Sequence, residues 1–393
     1  MSGGDDDLSY GPLTELVTSG RDPEDSYGFV NPPVVRGSTV VWPTVADMKA
    51  LSGRYTYGRR GTPTSDALSE ALMRLENSDH VSLVPSGLNA VALGLLATLG
   101  AGDHLLMVDT VYEPTRRLCD GLLKRLGIET DYYDPKIGAE ISSAMRPNTR
   151  AVFVESPGSL TFEIQDVPAI AGAAHARGVA VVMDNTWASP LFFRAHDFGV
   201  DVSVSAGTKY LGGHADVMIG WVSATGPYAN AVKQAHGSLG LCVGPDDMFL
   251  ALRGLRTLGV RLAHHQASAL RVARWLEFRP EVERVMHPGL ENDPGHALWK
   301  RDFSGSSGLF AIELVPGPDQ AVSEFLDGLK LFGLGFSWGG YESLAIPYDA
   351  CSVRTATRWA PSGPTVRLHI GLEDVEDLMA DLDAGLRRYT AAS

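Results

Sequence analysis

Two short β-branched runs near the middle of the chain, residues 179–183 and 200–204, each end abruptly in polar residues. Short valine-rich runs of this kind read as strands buried on both faces. Such strands need helices packed above and below them, which restricts the chain to an α/β sheet with crossover connections. The first run ends at Asp184, and the second leads into Ser205-Ala206-Gly207-Thr208-Lys209. In open α/β sheets ligands sit outside the carboxyl ends of the strands, so an acid and an amine from adjacent strand ends are placed to face one bound molecule.

That pairing suits pyridoxal 5'-phosphate. Lysine forms a Schiff base with the cofactor aldehyde, and a carboxylate beside the pyridine nitrogen keeps that nitrogen protonated, so the ring accepts electrons from a carbanion. Lys209 is one of seven lysines and lies in a glycine-rich, otherwise apolar segment, where desolvation lowers an amine pKa. Taken singly, Lys209 also fits a surface lysine capping a helix, and Asp184 fits the start of a turn. The two together favour the cofactor.

The rest of the chain follows the same alternation. Strands are predicted over 81–85, 104–109, 150–155 and near 217–222, with helices over 65–76, 89–99, 167–177 and 229–236. Ser86-Gly87-Leu88 marks a strand-to-helix turn, where backbone N–H groups and a helix N-terminus suit a phosphate; it also reads as an ordinary N-cap. Tyr112, just beyond a strand end, is placed either to stack on a flat ring or simply to pack. In the loop 55–64, two tyrosines and two arginines match phosphate geometry, or form an exposed basic loop.

Before that loop, Pro12, Pro23, Pro32, Pro33 and Pro43 prevent long helices. They predict an extended arm with one short helix near 45–51, preceded by a flexible acidic tail over 1–9. A long helix from about Asp246 leads into an α+β region with strands near 282–286, 308–314 and 366–370 and helices over 318–329 and 375–389. The expected division is an arm over 1–58, a large domain over 59–248 and a C-terminal domain over 249–393. Arg367 lies within an apolar strand and needs an anion, either a substrate α-carboxylate or a protein acid. His369 shares its strand face and reads as supporting. His264 and His265 point to different helical faces, which argues against a two-histidine metal site and suits a polar helix surface or interface.

A net charge of −14 disfavours nucleic acid and anionic membranes as partners and leaves a small metabolite. There is no apolar run of membrane-spanning length, and the acidic start lacks the pattern of a signal peptide, so a cytoplasmic protein is expected. Cys119, Cys242 and Cys351 have no metal-ligand spacing and are expected to be reduced and buried.

The stretch SAGTKYLGGHADVMIG resembles the lysine signature of the Cys/Met-metabolism family of pyridoxal-phosphate enzymes, and DNTWASP resembles its aspartate strand. The resemblance runs from about Leu13 to the C-terminal helix. It implies a fold-type I α/β architecture: a large domain with a mainly parallel seven-stranded sheet flanked by helices, a smaller C-terminal α+β domain and an extended N-terminal arm. It also implies catalysis by Lys209, Tyr112 and Asp184, and cofactor contacts from Gly87, Leu88 and Thr208. Tyr57 and Arg59 would reach the neighbouring subunit's cofactor across a dimer interface of a homotetramer. Arg367, Ser337 and Trp338 would bind the substrate amino acid. Many relatives carry a hydroxyl three residues before the lysine, where this chain has Ala206.

The turn SWGGYESL is similar to the family's β-lyases, whereas relatives acting at the γ carbon often carry an aliphatic residue there. The implied activity is therefore a carbon–sulfur β-elimination, converting L-cystathionine to homocysteine, pyruvate and ammonia, with cystine and related thioethers as further substrates. The alternatives are γ-elimination or γ-replacement and, more remotely, a non-catalytic metabolite-binding protein.

Overall fold

A computed structural model describes residues 10–393; the expected acidic tail over 1–9 lies outside the described residues. Seven strands form the larger sheet: β1 (His80–Val84), β2 (His104–Val108), β3 (Glu129–Tyr133), β4 (Thr149–Glu155), β5 (Ala180–Asp184), β6 (Val202–Ser205) and β7 (Gly220–Ala224). Their order is β1-β7-β6-β5-β4-β2-β3. Only β7 runs against its two neighbours, β1 and β6; the other pairs are parallel. The central strands β4 and β5 are apolar and buried nearly throughout, as helices on both faces require.

Helix Gly87–Thr98 starts two residues earlier than predicted because the Ser86 hydroxyl accepts the Asn89 N–H at 3.2 Å and so caps it. The arm holds a helix that the prolines did not suggest, Pro12–Thr18. Pro12 occupies its first position, where no N–H is needed, and Leu16 is buried beneath it.

Helix Pro245–Leu276 is continuous over 32 residues. Its first half packs with residues of the large sheet region and its last turns with the C-terminal core. That second core covers a four-stranded antiparallel sheet of β8 (Val282–Met286), β9 (Leu309–Leu314), β10 (Leu344–Tyr348) and β11 (Thr365–His369), ordered β10-β11-β9-β8.

One expectation is narrowed and one corrected. Of the surface and interface roles open to the histidine pair, His265 takes the interface: it is buried, and its Nδ1–H donates to the Ile370 carbonyl at 2.7 Å, tying the long helix to the end of β11. Of the cysteines only Cys119 is buried, while Cys242 and Cys351 sit in exposed loops, where no neighbouring apolar pattern forced them inward. No helix among the described residues is long and apolar enough to cross a membrane.

Candidate active site

The carboxyl ends of β4, β5 and β6 lie side by side, with Glu155 opposite Asp184 and Asp184 opposite Val204 in register. Each apolar run therefore delivers its first polar residues to the same rim. A cavity of about 680 Å³ opens there, lined by Asp184, Lys209, Tyr112, Trp338, Arg367 and the Gly87 turn. The acid and the amine picked out by sequence thus face one space, together with the arginine of the smaller sheet.

The Lys209 amine is held against the C-terminal domain. Its Nζ lies 2.6 Å from the Ser337 hydroxyl and 5.1 Å from the centre of the Trp338 ring. Burial, helped by the nearby Arg367 charge and opposed by Asp184, lowers its pKa to about 8. Arg367 comes from β11, and its Nη2 donates to the Ser337 carbonyl at 2.9 Å. Burial lowers its pKa to about 10, and the groups that oppose this are the hydroxyls of Tyr112, Tyr210 and Tyr348. No carboxylate of the described residues is among them, which favours an anionic ligand over a structural ion pair for Arg367 at the cavity wall.

Asp184 is pushed upward chiefly by burial. The Thr186 N–H donates to its Oδ1 at 3.0 Å, and the charge that favours its ionised form is Lys209. Its neighbour Glu155 is also raised by burial and by the Asp184 charge; its Oε2 accepts the Tyr112 N–H at 2.8 Å, and its Oε1 accepts the Ser159 hydroxyl. Tyr112 itself sits half exposed at the cavity wall, its hydroxyl pKa raised by burial and by Asp184.

At the other end, the first two residues of helix Gly87–Thr98 present N–H groups that its own first turn cannot use. A Cβ on Gly87 would lie 2.5 Å from the Ala206 methyl, so this turn and the β6 end are in direct contact. The Ala206 N–H donates to the Thr186 hydroxyl at 2.9 Å. Ser205 is buried, and Ala206 lines the cavity, as strand alternation requires. Thr208 also lines it, but its hydroxyl donates to the Ile219 carbonyl at 3.1 Å and accepts the Ile219 N–H at 3.1 Å.

Tyr57 and Arg59 are not brought to this chain's own cavity. Tyr57 bridges Thr39, and Arg59 Nη1 donates to the Gly237 carbonyl at 3.2 Å. Sequence reasoning missed Glu155 and Thr186. Glu155 ends an apolar run just as Asp184 does, and that parallel was the available signal; the role of Thr186 depends on a cross-strand contact that no local pattern reveals.

The residues fit the cofactor expected from sequence. A softened amine, a half-buried carboxylate, open helix-terminal amides and an arginine with no acid partner among the described residues share one cavity.

Comparison with known proteins agrees. The family model described as Cys/Met metabolism PLP-dependent enzyme matches residues 13–387. The chain is 52% identical over 384 residues to a putative cystathionine beta-lyase of Rhizobium johnstonii, covering 97% of this chain and 96% of that one. It is 44% identical to cystathionine beta-lyase MetC of Escherichia coli, over 95% of this chain and 98% of that one. Among solved structures, a cystathionine gamma synthase from Xanthomonas oryzae in complex with aminoacrylate and cysteine superposes with a TM-score of 0.91 at 34% identity, covering 98% of this chain and all (100%) of that one. With a matching model over nearly its whole length and an amine, an acid and an arginine converging on one cavity, the chain belongs to the Cys/Met metabolism family of pyridoxal-phosphate-dependent enzymes.

Proposed function

We propose that this protein is a carbon–sulfur lyase that β-eliminates L-cystathionine to homocysteine, pyruvate and ammonia, and accepts cystine and related cysteine thioethers. The observation that carries the proposal is the meeting of Lys209 with Arg367 through Ser337, which sets a proton-accepting amine beside a cation suited to an α-carboxylate. Pyridoxal phosphate, when bound, supplies the electron sink for the pair left at Cα.

Lys209 would hold the cofactor and, once displaced by the substrate amine, remove the Cα proton. Its lowered pKa supports this, since more of the amine is neutral near pH 7 than for an ordinary lysine. Asp184 would keep the ring nitrogen protonated, a task suited to a half-buried carboxylate with a cation as its natural partner. Gly87 and Leu88 amides would receive the phosphate, and Thr208 would join them by turning its hydroxyl away from the Ile219 carbonyl. Tyr112 would cover the ring and assist the proton at Lys209. Arg367 would grip the α-carboxylate, with Ser337 and Trp338 closing that side. The thiolate then leaves Cβ and takes up a proton as homocysteine, and the released aminoacrylate adds water to give pyruvate and ammonia.

We further infer a homotetramer in which Tyr57 and Arg59 complete the neighbouring subunit's phosphate site. Their position away from this chain's cavity supports that, as do the exposed Tyr27, Phe29, Val30 and Val41 of the arm. A cytoplasmic setting fits three cysteines that form no disulfide.

One observation favours a second reading. The solved neighbours include cystathionine gamma synthases, and γ-chemistry would use the same amine and arginine with an added proton removal at Cβ. Product identity separates them: cystathionine should yield pyruvate, and 2-oxobutyrate would overturn the β-assignment.

A further inference from the structure

Ser337 adopts a left-handed backbone, with φ of +75°, which a serine rarely holds without external support. Both of its polar groups face the reacting end: the hydroxyl touches Lys209 Nζ at 2.6 Å, and the carbonyl accepts Arg367 Nη2 at 2.9 Å. Two residues on, Gly339 has φ of +87° and lies so close to the lysine segment that a Cβ there would sit 2.8 Å from Tyr210 N and 2.9 Å from Lys209 C. The turn 337–342 is therefore pressed on the backbone of the reacting lysine, and something must fix it from behind.

His369 does so. It stands two residues beyond Arg367 on β11, is fully buried, and does not line the cavity. Its Nε2 accepts the Gly339 N–H at 3.0 Å, and its Nδ1–H donates to the Glu342 carbonyl at 3.0 Å. Those two bonds admit only the neutral ring with the proton on Nδ1. The rings of His265, at 5.3 Å, and Tyr210, at 6.0 Å, pack beside it, and Arg367 and Lys209 are the cations near it.

We propose that His369 is a positioning residue, a neutral brace across the 337–342 turn that keeps the Ser337 hydroxyl on Lys209 and the Ser337 carbonyl on Arg367. Both nitrogens are committed to backbone, so it carries no proton in the reaction. The brace depends on the roles given above to Lys209 and Arg367.

The experiment compares two variants of the holoenzyme. His369→Gln can still accept the Gly339 N–H, whereas His369→Asn reaches only the Glu342 side. His369→Asn is expected to raise KM about tenfold with a smaller fall in kcat, as the arginine loses its placed carbonyl. It should also move the pH midpoint of the lysine-bound cofactor absorbance by about half a unit or more, because Ser337, Asp184 and Arg367 surround that nitrogen. His369→Gln should restore both. If the two variants share KM and midpoint with the parent and differ only in melting temperature, the brace is merely structural and the proposal is overturned.

If His369→Asn does not fold, Ser337→Ala takes its place. That variant must shift the absorbance midpoint, and an unmoved midpoint overturns the proposal. Should Lys209→Ala retain the same absorbance band, it is the lysine assignment that has failed, not the brace.

Discussion

The two ends of the cavity are built by different means. At the end proposed for the substrate carboxylate, Arg367, Ser337 and Trp338 come from the C-terminal domain, and each is fixed by a direct bond or ring contact to a neighbour. At the end proposed for the phosphate, this chain offers two helix-terminal amides, a methyl at Ala206 and a Thr208 hydroxyl already engaged with Ile219. The first end is built largely of side chains from this chain's smaller sheet and the turn beside it. The second is made mostly of backbone, and the described residues that form it here, Gly87, Leu88, Ala206 and Thr208, carry no charge. Damage to the first should therefore appear in substrate binding, and damage to the second in cofactor retention.

Lys209 stands between the two ends, so its loss should abolish the distinction. Lys209→Ala is expected to lower kcat by about a thousandfold or more and to remove the lysine-linked cofactor absorbance, as the proposed nucleophile and base are one amine. Turnover and a visible spectrum of the purified variant check this. Arg367→Ala tests the carboxylate end alone. KM should rise about a hundredfold, near 3 kcal/mol, while cofactor content stays at the parent level. Loss of cofactor in that variant would break the proposed separation of roles.

The amine itself sharpens the comparison through pH. Lys209 lies at about 8, lowered first by burial and then by Arg367. Only the neutral amine captures the aldehyde, so the loading rate of cofactor-free protein should climb about tenfold per unit below that midpoint and flatten above it. Stopped-flow absorbance measures the profile. In Arg367→Ala one depressing charge is gone, and the midpoint should move upward; a downward move would contradict the cause assigned here.

Much of this arrangement was readable from the chain. β5 and β6 announce themselves because a strand buried on both faces must be apolar throughout, and the polar residue that ends it must lie at the rim. β3 was not foreseen: Glu129-Thr130-Asp131-Tyr132-Tyr133 is a half-exposed edge strand whose polar side chains hide its pattern. β10 escaped notice because Pro347 argues against a strand, yet an edge strand tolerates a missing N–H. In the site, Lys209, Asp184 and Arg367 were legible because each is a charged residue in apolar surroundings. Glu155 carried the same signal as Asp184, a charge ending an apolar run, whereas Thr186 and the bonds of His369 were not legible, since their roles arise from a cross-strand contact and from a turn folding back across β11.

The smallest expected effect bears on the weaker end. The Ala206 methyl points at the Gly87 turn and lines the cavity, three residues before the lysine. A hydroxyl there would stand beside the open amides of Gly87 and Leu88 without disturbing the Ala206 N–H bond to Thr186. Ala206→Ser should therefore tighten pyridoxal phosphate about fivefold, close to 1 kcal/mol for one added hydrogen bond to a charged group partly offset by desolvation. KM for the amino-acid substrate should not change, because Arg367 and Ser337 lie at the far end. Equilibrium dialysis of the cofactor against parent and variant decides it. An unchanged affinity would mean that the amides and the neighbouring subunit already satisfy the phosphate, and that the end judged weaker in one chain is not weak in the assembled enzyme.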